Sequence, residues 1–251
     1  MIMFRPNCLI VQRLTTGLKR LCSTESKGQL YDTHVSTSAL QKAILAVGSS
    51  VVALSDPWRA DMVAVSGEVS GKAALENMLA KMKASKEGQQ ILKDRPVINT
   101  INVDFEYLRS LPKNTFGNHY VTFNQKHHIT PDSRDPVKFV DDEELAFVMR
   151  RYRETHDLVH ALLDMPTNMV GEALVKWIEA LQTGLPMCIG AAILGPARFK
   201  KDSQYEKFRK LRPWAINVGL NSNFLLSVYF EKRWEQDLFD LRRELKIDPL
   251  P

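Results

Sequence analysis

The feature that most constrains the fold of this chain is a helical pattern at residues 139–165, which read FVDDEELAFVMRRYRETHDLVHALLDM. Apolar residues recur there every three or four positions, which is the period of an amphipathic α-helix. Asp141 or Asp142 can cap its start, and the acidic run at 141–144 favours the positive end of the helix dipole. Pro166 cannot continue a helix, so the pattern predicts one long helix that ends at this proline.

A second helix is predicted directly after the proline, in TNMVGEALVKWIEALQTG. Thr167 or Asn168 is its expected cap, and Gly184 is expected to follow its last turn. Helical spacing predicts further helices at residues 36–54, 71–85 and 225–245. The first of these is expected to stop before Pro57.

Two segments lack a clear helical pattern. Residues 59–71 contain Gly67 and Gly71, so we expect irregular structure or a broken helix there. Residues 97–135 are polar and contain prolines, so we expect a loop whose histidines lie at the surface. Few strands are visible and no internal repeat appears. The sequence therefore predicts an all-α fold, with a single helical domain at residues 36–251.

The N-terminus differs in composition from the rest of the chain. Residues 1–22 contain four basic residues, Arg5, Arg13, Lys19 and Arg20, and the first acidic residue is Glu25. A basic segment without acids is typical of a mitochondrial transit peptide, here with cleavage expected after Cys22. A disordered basic tail is the alternative. Residues 23–35 are polar and are expected to be flexible.

Composition excludes several classes of protein. The net charge is +5, and the four basic residues of the predicted transit peptide account for most of it, so nucleic acid is not an expected partner. No apolar run approaches the roughly 18 residues of a membrane-spanning helix. Cys188 is the one cysteine that would remain after cleavage, which excludes a disulfide framework. It is expected to be a small buried hydrophobe rather than a nucleophile.

The long helix carries two histidines, His156 and His160, one turn apart. Residues at i and i+4 project from the same helix face, which is the arrangement that lets two imidazoles bind one metal ion. Both lie on or beside the apolar, core-facing stripe. A buried imidazole needs a partner, because burying a polar group unpaired costs free energy. The pattern leaves open whether the partner is a metal, a carboxylate or another hydrogen-bonding group of the core.

Glu172, in the second helix, is the candidate third ligand. The break at Pro166 lets this helix fold back on the first, and two histidines with carboxylates suit Zn²⁺, Fe²⁺ or Mn²⁺. The apolar stripe of the second helix points to nearly the opposite side, at Val170, Leu174, Trp177 and Leu181. Either this helix is buried on two faces, with Val175 beside Glu172, or Glu172 is a surface residue. The periodicity does not decide between the two.

The motif HDLVH, followed by eleven residues and Glu172, resembles the HDxxH-x11-E signature of the mitochondrial ubiquinone (coenzyme Q) biosynthesis protein 4 family. The resemblance extends from about residue 36 to the C-terminus. It includes the blocks PWRADMVAVSGEVSG, RPVINT, LPKNTFGNHYVTF, RYRETHD, GEALVKWIEALQTGLPM and VYFEKRWEQDL. Within the motif the chain does not depart from the signature.

The resemblance implies a helical protein bound peripherally to the matrix side of the mitochondrial inner membrane, within a multiprotein coenzyme Q assembly. It implies removal of the C1 carboxylate of 4-hydroxy-3-methoxy-5-polyprenylbenzoate, which gives 2-methoxy-6-polyprenylphenol; an oxidative route is a variant. It also implies a divalent metal, usually zinc, with four ligands: His156, Asp157, His160 and Glu172. Asp157 can instead be the catalytic acid or base.

The implied partners are polyprenylated precursor lipids, other coenzyme Q biosynthesis proteins, the membrane surface and, in one alternative, a second copy of the chain. Residues 187–197 and the helix at 38–54 are candidates to contact the lipid tail, although both can equally be core. The basic residues Arg198, Lys200, Lys201, Lys207, Arg209, Lys210 and Arg212 either face anionic lipid or form a solvated face. A non-catalytic scaffold with a structural metal is the competing function, and a metal hydrolase is a weaker one.

Overall fold

The fold, seen in a computed structural model that describes residues 28–56 and 59–251, is all-α, as predicted. Within these residues there are eleven α-helices and no strand. The helices are α1 (Ala39–Ser55), α2 (Ala60–Ser70), α3 (Lys72–Ala84), α4 (Lys86–Asp94), α5 (Phe105–Ser110), α6 (Phe116–His127), α7 (Glu143–Leu163), α8 (Met169–Thr183), α9 (Pro186–Leu194), α10 (Asp202–Asn221) and α11 (Leu238–Glu244). The predicted transit peptide lies outside the described residues.

Helix α7 is the centre of the fold, because both apolar clusters of the core include it. Its first half, from Leu145 to Tyr152, packs with residues of α3, α4 and α9. Its second half, from Leu158 to Leu163, packs with α6, α8, α10 and the C-terminal segment. The two histidines of the motif therefore lie on the half of α7 that α6 and α8 cover.

The ends of α7 and α8 follow the predicted capping residues. The Asp142 carboxylate accepts a hydrogen bond from the Leu145 amide at the start of α7. The Asn168 side chain accepts from the amides of Val170 and Gly171 at the start of α8. Gly184 ends α8 with a φ of 71°, a left-handed conformation that favours glycine.

Of the two alternatives for residues 59–71, irregular structure was wrong, since α2 is continuous from Ala60 to Ser70 and the helix breaks only at Gly71. Gly67 lies inside this helix at a close approach to α9, where a Cβ atom would contact the Met187 sulfur. Gly71 follows the last residue of α2 and leads directly into α3. Gly67 therefore permits close packing of two helices, and Gly71 marks a helix boundary; neither lies in a loop.

The loop expected at residues 97–135 was also wrong, since α5 and α6 both lie within it. Asp104 caps α5 and Thr115 caps α6 through their side-chain oxygens. The apolar residues of α6, Phe116, Tyr120 and Phe123, are buried. They follow helical spacing, but the polar residues between them hid the pattern. Tertiary burial stabilises this helix more than local propensity does.

The long C-terminal helix predicted at residues 225–245 is absent. The segment forms two short 3₁₀ turns, Leu225–Ser227 and Phe230–Lys232, followed by α11. The 3₁₀ turns and α11 are closed by local hydrogen bonds, and two backbone carbonyls between them bond another helix. Those of Trp234 and Gln236 accept hydrogen bonds from the first amides of α6, 2.8 Å away in both cases. The amphipathic pattern was correct as a sign of burial, but not as a sign of a helix.

Residues 28–35, part of the segment expected to be flexible, pack against the loop before α7. The Tyr31 hydroxyl donates to the Val140 carbonyl, and the Thr33 hydroxyl donates to the Val137 carbonyl. Cys188 is buried, as expected. Among the described residues, no helix is both long enough and apolar enough to cross a membrane.

Candidate metal centre

The imidazole rings of His156 and His160 stand together on α7, as their spacing predicts. Their centroids are 4.6 Å apart and their planes are nearly perpendicular. The His160 side chain is fully buried, whereas that of His156 is 21% exposed. The pair therefore extends from the protein interior to an accessible surface.

Glu172 completes the group, because α8 folds back along α7 after a short turn. The Met165 amide donates to the His160 carbonyl, and Asn168 caps α8 within the same turn. The carboxylate oxygens of Glu172 lie 3.3 Å from His160 Nε2 and 3.6 Å from His156 Nε2. Of the two alternatives for α8, burial on two faces is the one observed, since Leu174 and Val175 are both buried.

Gly171 sets the position of Glu172. A Cβ atom at residue 171 would clash with the Pro166 carbonyl oxygen, and backbone cannot retreat as a flexible side chain can. Gly171→Ala is therefore expected to lower the free energy of unfolding by about 1–3 kcal/mol and to weaken metal binding, because the turn and Glu172 must shift. Urea unfolding and zinc titration measure the two effects.

Gly190→Ala is the matched control for this substitution. Gly190 is also helical, but no heavy atom of a described residue lies within 4 Å of the position that its Cβ would occupy. Its replacement should be neutral, or stabilising by up to about 1 kcal/mol through helix propensity. Equal effects of the two substitutions would contradict the role assigned to Gly171.

The other ring nitrogens are held by oxygen acceptors. His156 Nδ1 donates to Glu179 Oε1 at 2.6 Å, and His160 Nδ1 donates to the Met165 carbonyl at 2.9 Å. In the neutral imidazoles these partners fix the tautomer in which Nδ1 carries the hydrogen, so the Nε2 lone pair is free to bind a metal. Such outer contacts are typical of histidines that bind metals.

The donor set fits a divalent metal. Two imidazole nitrogens and one carboxylate oxygen lie within 4.8 Å of one another. His160 Nε2 is buried and forms no hydrogen bond with a described residue, and the Glu172 carboxylate lies 3.3 Å from it, so a cation between them would satisfy both. Three protein ligands leave coordination positions free, as in catalytic zinc sites. The arrangement suits Zn²⁺, and its nitrogen and oxygen ligands also suit Fe²⁺ or Mn²⁺.

Asp157 stands apart from this group. Its carboxylate forms an ion pair with Arg134, and both side chains are 16% exposed. One residue along a helix rotates the side chain by about 100°, which turns Asp157 away from the face of His156 and His160. The group of three possible ligands therefore does not include Asp157. Its assignment as a fourth ligand or as the catalytic acid or base stays a prediction.

Sequence reasoning missed a buried charged cluster beside the histidines. Glu179 accepts hydrogen bonds from His156, from Lys176 at 2.6 Å and from the Tyr152 hydroxyl at 2.8 Å. Glu172, Lys176 and Glu179 are spaced four and three apart, so they share one face of α8. This spacing is the sequence feature from which the cluster could have been predicted.

The cluster favours positive charge between the carboxylates. Burial and the Lys176 ammonium lower the pKa of His156, but Glu179 and Glu172 outweigh them and raise it to about 9. Burial opposes the ionisation of Glu172, yet His160 and His156 hold its pKa well below the usual range. A divalent cation and a proton on His156 would therefore compete for the same site.

A cleft of about 470 Å³ opens over His156 and Glu172. Its lining includes apolar residues, with Val63 and Ala64 from α2 and Met187 and Ala191 from α9. The lining also includes charged groups: Arg134, Arg153, Asp157, Lys176 and Arg198. The cleft can therefore hold a ligand with an apolar part and an anionic group.

Sequence comparison supports the resemblance carried by the motif. Residues 31–251 match the profile of the family described as coenzyme Q (ubiquinone) biosynthesis protein Coq4. The chain belongs to the Coq4 family. It is 52% identical over 227 residues to the mitochondrial ubiquinone biosynthesis protein COQ4 homolog of Xenopus tropicalis, covering 90% of this chain and 81% of that protein.

Other Coq4 proteins are equally similar. The mitochondrial homolog of Bos taurus is 50% identical over 224 residues, covering 89% of this chain and 84% of that protein. The fold also resembles the crystal structure of a Nostoc punctiforme protein provisionally assigned to ubiquinone biosynthesis, with a TM-score of 0.66 and 16% identity. That likeness covers 82% of this chain and 98% of the other, and at this identity it concerns the fold alone. As a Coq4 family member, the chain is a ubiquinone biosynthesis protein.

Proposed function

We propose that the chain removes the C1 carboxylate of 4-hydroxy-3-methoxy-5-polyprenylbenzoate in a metal-dependent reaction that yields 2-methoxy-6-polyprenylphenol. The observation that carries this proposal is the convergence of His156, His160 and Glu172 beside a cleft whose lining contains both apolar and cationic residues. An aromatic acid with a polyprenyl tail has an anionic group for the cationic residues and an apolar part for the apolar residues. The proposed location is the matrix side of the mitochondrial inner membrane, together with other coenzyme Q biosynthesis proteins.

The chemistry of the substrate defines what the site must do. The 4-hydroxyl group donates electron density into the ring, and C1 accepts a proton. The bond between C1 and the carboxylate then breaks, CO₂ leaves and the ring regains aromaticity. When bound, the divalent ion supplies a Lewis acid for the negative charge of the carboxylate.

The chain's own residues would orient the acid and exchange the proton. Lys176 remains an ammonium, because burial lowers its pKa less than Glu179 and the other nearby anions raise it. It and Arg198 provide positive charge on the cleft wall for an anionic substrate. Arg134 holds the Asp157 carboxylate at the same wall, where Asp157 would exchange a proton with the ring as general acid or base.

Asp157→Asn tests the role of this carboxylate. We expect the variant to keep about one metal ion per chain and to lose about 100-fold in turnover, because proton transfer is impaired while the ligands remain. Release of labelled CO₂ from the carboxyl-labelled benzoate measures turnover, and mass spectrometry of the phenol distinguishes simple from oxidative loss.

Asp61→Asn is the control for Asp157→Asn, since Asp61 also pairs with an arginine, Arg59, but on the exposed surface. It should leave turnover unchanged. Loss of metal in Asp157→Asn would make Asp157 a ligand rather than a proton-transfer group. Full turnover in Asp157→Asn would contradict both roles. If the unsubstituted chain is folded and holds its metal but shows no turnover, the non-catalytic scaffold is favoured.

A further inference from the structure

Helix α1 has apolar residues on its outward side as well as on its inward side. Its outward side carries exposed aliphatic side chains, with Ile44, Val47 and Val51 between 57% and 68% exposed. Its inward side is mixed: Leu45, Ala46 and Val52 are half-buried, Ser49 is buried, and the Ser50 hydroxyl lies 2.9 Å from that of Ser66 on α2. A helix that packs only on its own protein buries its apolar side, so α1 presents its outward apolar residues to something else.

Helix α9 extends the exposed apolar surface. It contacts α1 and α2, and its residues Ile193 and Leu194 are 60% and 47% exposed. We call the combined surface the aliphatic face. Its members are Leu40, Ile44, Val47, Val51, Ile193 and Leu194.

Unpaired positive charge borders the aliphatic face. Residues 198–212 contain seven basic and two acidic residues. Lys200, Lys201 and Lys207 are exposed, and none of them forms an ion pair with a described residue. Arg198 joins this segment to α1 by donating to the Ala53 carbonyl at 3.4 Å. Aliphatic side chains with adjacent cations match the interface of a bilayer that contains anionic lipids.

The cleft opens at the same place. Helix α9 contributes Met187 and Ala191 to the lining of the cleft and Ile193 and Leu194 to the aliphatic face. Arg198 belongs to both the cleft and the basic segment. A lipid substrate could thus pass from a membrane at this face into the cleft without crossing water.

We infer that the aliphatic face is the surface through which the chain docks on an anionic bilayer, with the basic segment at 198–212 against the headgroups. This inference rests on the proposed function for its substrate, and it deepens that proposal by assigning the membrane-facing side and the route of entry. A second copy of the chain is the competing occupant.

Vesicle flotation tests the docking face. The chain from Gly28 onward is suitable, because all residues of the two apolar clusters lie beyond this point. We expect it to bind vesicles of phosphatidylcholine with one quarter phosphatidylglycerol. Ile44→Ser combined with Val47→Ser should weaken binding about tenfold or more. Lys200→Gln combined with Lys201→Gln should reduce the preference for anionic over neutral vesicles.

The matched control is Ile101→Ser combined with Phe239→Ser, since these residues are 89% and 65% exposed but lie outside the aliphatic face. It should bind as the parent chain does. If the Ile44 and Val47 variant binds vesicles as well as the parent chain does, the inference is wrong. If the parent chain is a dimer and this variant is a monomer that still binds vesicles, the aliphatic face is a dimer interface instead. If the full chain binds vesicles but the chain from Gly28 onward does not, residues 1–27 are responsible for attachment and the inference is also wrong.

Metal content and decarboxylation of a short-tailed substrate in detergent are measured on the same variants. Both should be unchanged in the Ile44 and Val47 variant, because neither residue lines the cleft. If no chain decarboxylates the substrate, the proposed function is wrong. If the Ile44 and Val47 variant still loses vesicle binding in that case, the docking face is supported independently.

Discussion

Replacing His160 with alanine is expected to remove the bound divalent metal while the helical fold remains. The His160 Nε2 atom is one of three ligand atoms, and it is fully buried without a hydrogen bond to a described residue. Loss of an outer-shell partner already costs roughly 10–100-fold in metal affinity, so loss of a direct ligand should cost at least as much. Plasma mass spectrometry after loading with zinc, iron(II) or manganese(II) measures the metal, and circular dichroism the helix content.

His34→Ala is the control for His160→Ala. His34 is also buried and also has a carboxylate partner, Asp141, at 3.2 Å, but it does not belong to the group of three ligands. It should retain about one ion per chain. If His160→Ala binds metal as tightly as the parent chain, the histidine pair is a structural core feature and the proposed centre is wrong.

Replacing Arg151 with methionine is expected to destabilise the chain by about 3–5 kcal/mol. Arg151 is fully buried on α7, where its guanidinium binds both carboxylate oxygens of Glu231 and donates to the Val228 carbonyl at 3.0 Å. Its removal leaves a largely buried carboxylate without a counter-charge. It also frees the C-terminal segment from the helix that carries His156 and His160. Urea unfolding measures the change.

Lys83→Met is the matched control, since Lys83 and Glu144 form an ion pair at 2.9 Å with both side chains largely exposed. An exposed pair contributes less than about 1 kcal/mol, so this substitution should have little effect. The double variant Arg151→Met with Glu231→Gln should recover part of the lost stability. If Lys83→Met and Arg151→Met lower the free energy of unfolding by similar amounts, burial of the ion pair between Arg151 and Glu231 does not explain its effect on stability.

Much of the fold was predictable because its central helices carry their own boundaries. Asp142, Asn168 and Gly184 occupy the cap positions that local backbone chemistry assigns to such residues. Helix α6 was not predicted, and α2 was expected only as irregular structure or a broken helix, because polar residues and glycine interrupt their patterns. Both are stabilised by partners distant in sequence, such as Met187 beside Gly67.

Half of the candidate site was predictable from spacing alone. The four-residue interval between His156 and His160 places both imidazoles on one side of any helix. The resemblance to the family, rather than periodicity, indicated Glu172. Glu179 and Lys176 went unnoticed, because their charges suggest an exposed helix face and only the packing of α8 on α7 buries them.

The sequence by itself determined that the chain is helical, where its two central helices begin and end, and that two imidazoles share a face. These properties depend on contacts within a few residues. Only the tertiary structure decided that Glu172 joins the histidines, that Asp157 turns to Arg134, and that apolar residues on the outward side of α1 are left uncovered. Each of these depends on which surfaces pack together, and local patterns do not encode that choice.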